Sequence, residues 1–464
     1  MATGISGQEK LSPDSLNAAL PHKDPHPLPL ASDTPLLIYP NRLSEADVLS
    51  SLRTSFIQMD GEAHSSLIQK IPTNSLVLAD NLFGLHGLLE SGHKATLIYL
   101  DPPYNTGMEF QSRQLEHAYS DQLGTAAYIE FMRRRLILMR ELLTDDGSIY
   151  VHIGYQMVSH LKVIMDEIFG PKNFRNIITR RKCSSKNFTK HQYSNLNDYI
   201  LFYTKSASYK WNQPGERPNE NWIEKEYTKT DSRGRYKLVP IHAPGTRHGA
   251  TGESWRGMMP PPGKHWQYIP SKLDDFDKAG EIHWSRNGNP RRKVYLTDDK
   301  SIPYTDYWER FRDAHHQSIA VTGYPTEKNL AMLRMIVSAS SDEGDLVIDP
   351  FCGSGTTMHA ANDLRRAWIG IDQSFNALKA SITRLRHGLE PMGDYVSREE
   401  DSDLSDRSNV LELFSGQHSS TNSNKNGAAL KLKESLHQAT PFSFIVDEDL
   451  LKTYRTEICE IALI

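Results

Sequence analysis

Short apolar runs closed by turn residues alternate with segments of helical period over two stretches of this chain. Ser75–Ala79 and Thr96–Leu100 are brief, apolar and followed by polar or turn residues, which predicts buried strands. Between Tyr128 and Leu143 the residues Phe131, Met132, Leu136, Met139, Leu142 and Leu143 recur at helical spacing, as a helix covering a sheet face requires. Asp145-Asp146-Gly147 predicts a turn into the next strand, Ser148–Ile153. Val158–Phe169 reads as a helix and Tyr199–Tyr203 as a strand near the sheet edge. The rhythm returns further on with a helix Leu330–Ser338, a strand ending at Asp349, a helix after Gly355 and a strand Trp368–Ile371 ending at Asp372. Such alternation predicts an α/β sheet of parallel strands.

Between these stretches, from about residue 206 to 318, no clean period persists. Prolines and glycines cluster there, as in Pro260-Pro261-Pro262-Gly263, and six of the seven tryptophans fall in the segment. The tryptophans predict a small core of their own. Residues 1–70 read as an extension rich in Pro, Ser and Asp, with a short helix near Ser44–Ser55. Residues 391–430 read as a polar linker and 431–464 as a small terminal element. The α/β unit is therefore expected in two pieces, 71–205 and 319–390, around an insertion.

Composition narrows the class. A chain of 464 residues exceeds the usual single-domain size, and its formal net charge is only -4. No apolar run approaches the ~18 residues of a membrane helix. Neither a secretory signal nor a disulfide framework is legible in the amino terminus or in Cys183, Cys352 and Cys459, so a reducing cytoplasm is expected. The two histidines of Pro21–Pro27 lack further ligands at metal spacing, and no metal site is expected. Charge is uneven: residues 172–313 hold 27 Lys/Arg against 16 Asp/Glu, a balance of +11, leaving -15 for the rest. A basic, aromatic-rich insertion in an acidic protein suits a phosphate-facing surface. Its basic runs, Arg180-Arg181-Lys182 and Arg291-Arg292-Lys293, are the candidate contacts to double-stranded DNA.

Two motifs carry the chemistry. Asp349-Pro350-Phe351-Cys352-Gly353-Ser354-Gly355, followed by Thr356, is a glycine-rich turn from strand to helix, where absent Cβ atoms let backbone approach a ligand. No Gly-Lys-Ser/Thr follows, which argues against a triphosphate, and the third glycine of the dinucleotide fingerprint is missing. Asp372, at the end of the next strand, can accept both ribose hydroxyls of an adenosine. Asp101-Pro102-Pro103-Tyr104 also closes a strand. Its carboxylate and the Pro102 carbonyl could hold an exocyclic amine out of conjugation, with the prolines fixing the backbone and Tyr104 stacking on a base taken out of its helix.

Ile98–Gly107, Met139–Ile149, Gly323–Lys328, Asp349–Thr357 and Trp368–Asp372 together resemble the β-class adenine-N6 DNA methyltransferases. Within that class the chain is similar to the modification subunits of type III restriction systems and their stand-alone relatives. The resemblance implies a Rossmann-like sheet that binds S-adenosylmethionine, in circularly permuted order, with a target-recognition insertion. Asp349 would end the first strand of that sheet, Asp372 the second, Asp80 the third and Asp101 the fourth. It further implies that Asp80 or Asn81 approaches the cofactor's adenine, and that Thr326 and Lys328 lie near its methionine carboxylate. Asp349, Phe351, Gly353, Gly355, Thr356 and Asp372 would complete the cofactor site. Asn329 stands where the family often has proline, and Glu327 where it often has glutamine. A homodimer or a restriction subunit is a partner the resemblance allows.

Cytosine-C5 methylation would need a nucleophilic cysteine, usually after proline, and none of the three follows proline. Cytosine-N4 enzymes share the whole design but usually carry serine at the position of Asp101, which favours adenine. A catalytically silent nucleic-acid-binding relative would have no need of intact Asp101, Tyr104, Gly353, Gly355 and Asp372.

Overall fold

A computed structural model describes residues 34–50, 54–59, 65–104, 109–111, 117–120, 124–183, 191–312, 328–387 and 441–462. Eleven strands form the main sheet. From one edge they run Tyr307–Trp308, Phe174–Arg181, Asn197–Thr204, Leu143–Ile153, Ala95–Leu100, Leu346–Asp349, Ala367–Asp372, Ser75–Leu78, Ser443–Asp447, Phe56–Met59 and Ser65–Ile68. From Leu143–Ile153 through Ser443–Asp447 the neighbours are parallel. Strand Asn197–Thr204 runs antiparallel to both of its neighbours. The four strands expected to share the permuted sheet are adjacent, in the order Ala95–Leu100, Leu346–Asp349, Ala367–Asp372, Ser75–Leu78.

Why these runs become central strands is visible in their burial. Leu76, Val77 and Leu78, Leu97 and Ile98, Ile348 and Ile369 are fully buried, so both faces of the sheet are covered and no polar alternation is needed. Helices Asn81–Glu90, Thr125–Leu142 and Val158–Phe169 contribute to one of two large apolar clusters, and Leu330–Ser340, Thr356–Asp363 and Phe375–His387 to the other. In a parallel sheet covered by helices on both faces, the carboxyl ends of the strands are the natural site for ligands.

The short helix expected near Ser44–Ser55 is Glu45–Leu49, with the Ser44 side chain accepting from Asp47 N. The structure departs from the sequence reading at two places. Asp145-Asp146-Gly147 does not separate helix from strand; strand Leu143–Ile153 runs through it, with a register shift against Ala95 and Leu97. Pro441 onward does not fold as an element apart. Ser443–Asp447 is inserted between Ser75–Leu78 and Phe56–Met59, which draws the terminal segment and part of the first seventy residues into the main sheet. The linker expected over 391–430 lies outside the described residues.

The insertion folds as a four-stranded antiparallel sheet, in the order Lys229–Asp231, Gly234–Pro240, Pro290–Tyr295, Ile282–Trp284. Ile241, Trp255, Trp266, Leu273 and Ile282 form its core, with Trp284 stacked on Trp255 at 5.4 Å. Three of the six tryptophans are thus core, as their clustering predicted. Trp308 belongs to the main core and Trp211 stacks on Phe202. Gly215–Glu216 pairs with Ile302–Pro303 where the chain leaves and returns.

Candidate active site

Strands Ala95–Leu100 and Leu346–Asp349 are neighbours in register, Val347 beside Leu97 and Ile348 beside Ile98. Their carboxyl ends therefore deliver Asp101–Tyr104 and Asp349–Gly355 to one cleft. Its lining also includes Asn81, Tyr99, Phe131, Arg135, Lys328, Asp372 and Ser374.

On the Asp101 side, the Tyr104 hydroxyl donates to Asp101 Oδ1 at 2.9 Å and Lys328 Nζ lies 2.5 Å from Oδ2. Tyr128 donates its hydroxyl to the Pro103 carbonyl at 2.6 Å, anchoring the turn from below. Burial, and then the Asp101 charge, push the Tyr104 phenol well above its usual value, so it stays a neutral donor. Both oxygens of Asp101 thus face hydrogen-bond donors, the role an amine would take.

On the glycine side, Gly353 and Gly355 have φ of +50° and +77°. A Cβ on Gly355 would come within 2.8 Å of Ser381 Oγ and 3.2 Å of Ser381 Cα, so the turn closes here only with glycine. Asp372 Oδ2 accepts from Gly353 N and Oδ1 from Ser374 N, both at 2.9 Å. Asp349 accepts from Phe351 N at 3.0 Å and from the Thr357 hydroxyl at 2.5 Å. Burial first, and then Asp101 and Asp372, push the Asp349 carboxyl up to about 7 against those hydrogen bonds. Burial likewise raises Asp372. Three carboxyl groups surround one cleft, and a cationic ligand would draw them into their ionised forms.

Sequence reasoning missed the residues that hold Asp80 and Asn81. Arg135 reaches Asp80 Oδ1 at 2.7 Å and also bonds Asn81 Oδ1, while its guanidinium lies 3.6 Å over the Phe131 ring. Asn81 in turn donates to the Pro350 carbonyl at 2.9 Å, linking the two halves of the site across 269 positions. Three consecutive arginines, Arg133 to Arg135, inside an amphipathic helix were the available signal, since two of them are buried. Phe131 and Phe351, 6.1 Å apart, add apolar surface at this end of the cleft. Thr326 lies outside the described residues, and Lys328 sits on Asp101 instead of in a separate pocket. The donor set fits an adenosine bearing a sulfonium and an amino-acid end: aromatic faces, a carboxylate ending the second strand, three anionic groups and an ammonium.

The basic runs divide. Arg180 is fully buried, with Nε and Nη2 on Asp198 at 2.8 and 2.6 Å, so its assignment to DNA is corrected: it belongs to the core. Strand pairing on both sides, with Nη1 donating to the Phe311 carbonyl at 3.0 Å, turned it inward. Arg181 pairs with Glu309, and Lys182 is half-buried with its backbone bonded to Leu196. Arg292 lies 4.0 Å over Phe276 and Lys293 pairs with Asp231 at 2.9 Å, both inside the insertion, whereas Arg291 is exposed.

Residues 95–383 match the N6/N4 DNA methylase family, and the chain belongs to it. It is a DNA methyltransferase that uses S-adenosylmethionine. It is 60% identical over 399 residues to the Type II methyltransferase M.EcaI of Enterobacter cloacae, covering 86% of this chain and 87% of that protein. It is 28% identical over 336 residues to the Type III restriction-modification enzyme StyLTI Mod subunit of Salmonella typhimurium, covering 64% of this chain but 51% of that subunit. With the Type II methyltransferase M.KpnI of Klebsiella pneumoniae it shares 28% identity over 325 residues, 62% of this chain and 76% of that protein. No helix among the described residues is long and apolar enough to cross a membrane.

Proposed function

We propose that this enzyme methylates N6 of adenine in double-stranded DNA, at a specific sequence, with the target base turned out of the duplex. The observation that carries the reading is Asp101, an aspartate whose two oxygens each face a donor, Tyr104 and Lys328, in the cleft that holds the Gly353–Asp372 turn. Lys328 leaves Oδ2 when the base arrives, and the adenine amine takes its place, with the Pro102 carbonyl as second acceptor. Tyr104 offers its ring to the base. The amine's lone pair, freed from the ring, is then aimed at the methyl group that S-adenosylmethionine supplies. Positioning and electrostatics carry the rate. Asp80, Asn81, Asp349, Phe351, Gly353, Gly355, Thr356 and Asp372 hold the cofactor, with Thr326 and Lys328 at its methionine end.

The inserted sheet faces the duplex and reads its sequence, with phosphate contacts setting register and fewer side chains reaching base edges. A cytoplasmic enzyme, working alone, as a homodimer or beside a restriction subunit, is the setting this reading fits. Expression in a host without DNA methylation, followed by mapping of modified bases by long-read sequencing, tests it. The expected result is N6-methyladenine in one sequence context. Methyl groups on cytosine N4 would replace this reading with the sister chemistry, and an unmodified genome would overturn it.

A further inference from the structure

Beside Asp101, outside the cleft lining, lies a buried histidine that none of the roles above uses. His152 sits at the end of strand Leu143–Ile153 with no exposed surface. Its Nε2 lies 3.0 Å from Asp198 Oδ2. Its Nδ1 lies 2.8 Å from the Tyr99 hydroxyl and 3.9 Å from Asp101 Oδ1. Asp198 is itself forked by Arg180. Burial raises the Asp198 carboxyl, but His152 and the Arg180 fork outweigh it and hold the group well below the usual carboxylate range. An anion therefore stands against Nε2. Carboxylates only accept, so the hydrogen on Nε2 is the one that faces Asp198, and in the neutral ring Nδ1 keeps the lone pair that takes the Tyr99 O–H.

We propose that His152 is a positioning residue that acts through Asp101, taking up the proton that the methylated amine must lose. The proposal rests on Asp101 gripping an exocyclic amine and holds for either base. Once the amine nitrogen has gained its fourth bond it is a cation. One N–H bond breaks and leaves its electron pair on nitrogen, while an O–H bond forms at Asp101. The proton then moves from that oxygen to Nδ1, restoring the carboxylate. The imidazolium so formed lies between two anions, Asp198 and Asp101, and the Tyr99 hydroxyl turns from donor to acceptor. The gap of 3.9 Å is about 1 Å beyond hydrogen-bond reach, and rotation of the carboxylate closes it once the Lys328 ammonium has moved off. Arg180 faces the imidazole through Asp198, and Lys328 through Asp101. The Tyr104 ring, centred 6.1 Å away, presents no charge.

The test uses single-turnover methylation of a duplex carrying the site mapped for the wild type, followed from about pH 5.5 to 9, the range in which histidine changes charge. His152→Asn keeps a polar atom near the place of Nδ1 but has no basic site. At saturating S-adenosylmethionine, where Asp349 no longer acts through cofactor affinity, the wild-type rate is expected to fall on the acid side. His152→Asn is expected to be slower by roughly two orders of magnitude at neutral pH, with that acid limb gone. Calorimetric affinity for S-adenosylhomocysteine is expected to stay near wild type. A variant that loses rate equally at every pH, with the limb retained, would mean a packing role only. Should His152→Asn not fold, the wild-type profile still decides: a rate flat across the acid side overturns the proposal. Methylation of cytosine by the wild type changes the target base without touching the relay, whereas a wild type that methylates nothing brings down both.

Discussion

Asp349 joins burial to ligand charge in one side chain. Its carboxyl is pushed up to about 7, chiefly by burial. A folded pKa raised above the unfolded value means the native state holds more protons between about pH 4 and 7. The stability this group contributes is present below pH 4 and is lost as pH rises through 7. The melting temperature of the ligand-free enzyme is therefore expected to decline from pH 5 to 8, and Asp349→Asn to flatten that decline; equal slopes in thermal scans of the two proteins would refute the assignment. The same group bears on the cofactor. S-adenosylmethionine carries a sulfonium and S-adenosylhomocysteine does not. Affinity for the first is expected to rise more steeply between pH 6 and 8 as Asp349 ionises, which calorimetry on both ligands would show. At Gly355 the constraint is steric: Gly355→Ala adds a side chain at φ +77° against Ser381 and is expected to destabilise the fold by more than about 1 kcal/mol in denaturant titrations. Asp101, Gly353 and Asp372 could be singled out in the sequence because short motifs that end strands fix their own geometry. Arg180 could not. Nothing in Arg180-Arg181-Lys182 tells which member of a basic run turns inward, because that depends on Asp198, its register partner on the neighbouring strand eighteen positions away.

Elements that carry their own periodicity were legible, and those whose partners are remote were not. Val158–Phe169 needed only its apolar stripe, and Ala95–Leu100 only its continuous apolar run. The terminal strand Ser443–Asp447 has the same composition, but its place beside Ser75–Leu78 depends on a pairing more than 350 positions away. Its neighbours make it structural: Ile445 and Val446 are fully buried, and Phe444 nearly so. Ile445→Ala is expected to cost about 2–5 kcal/mol, as for other buried large-to-small changes. Urea titration checks it; a loss under 1 kcal/mol would mean the strand is only laid against the sheet. Arg180→Ala would strand the Asp198 anion in the core, and a loss of about 3–5 kcal/mol is expected, without a selective effect on the salt dependence of DNA binding. The turn expected at Asp145–Gly147 became an irregularity within the strand for a related reason: Leu143 pairs with Ala95 and Ser148 with Leu97, which leaves residues 144–147 opposite a single residue of the next strand.

At the scale of the whole molecule, the two basic runs behave differently from the sum of their charges. Most of their side chains are engaged within the protein, and Arg291 is the member that stands exposed. Arg291→Ala is expected to weaken binding to all DNA sequences and reduce the slope of affinity against salt by about one ion, with cofactor affinity unchanged. An unaltered slope in fluorescence titrations would move the phosphate-facing surface to another face of the insertion.

The order of the strands also sets a timetable for the chain's birth. Strand Ala95–Leu100 leaves the ribosome early, yet the neighbour that completes its cleft, Leu346–Asp349, follows some 250 residues later. Ser75–Leu78 waits longer still, for Ala367–Asp372 on one side and Ser443–Asp447 on the other. Until then the first half presents unsatisfied strand edges, and pairing across such separations is slow and open to aggregation. Asp101 meets the Gly353 turn only after the insertion between them has been made. A nascent fragment that ends before residue 346 therefore lacks the cleft, so the two motifs come together only in a chain that already carries the whole insertion.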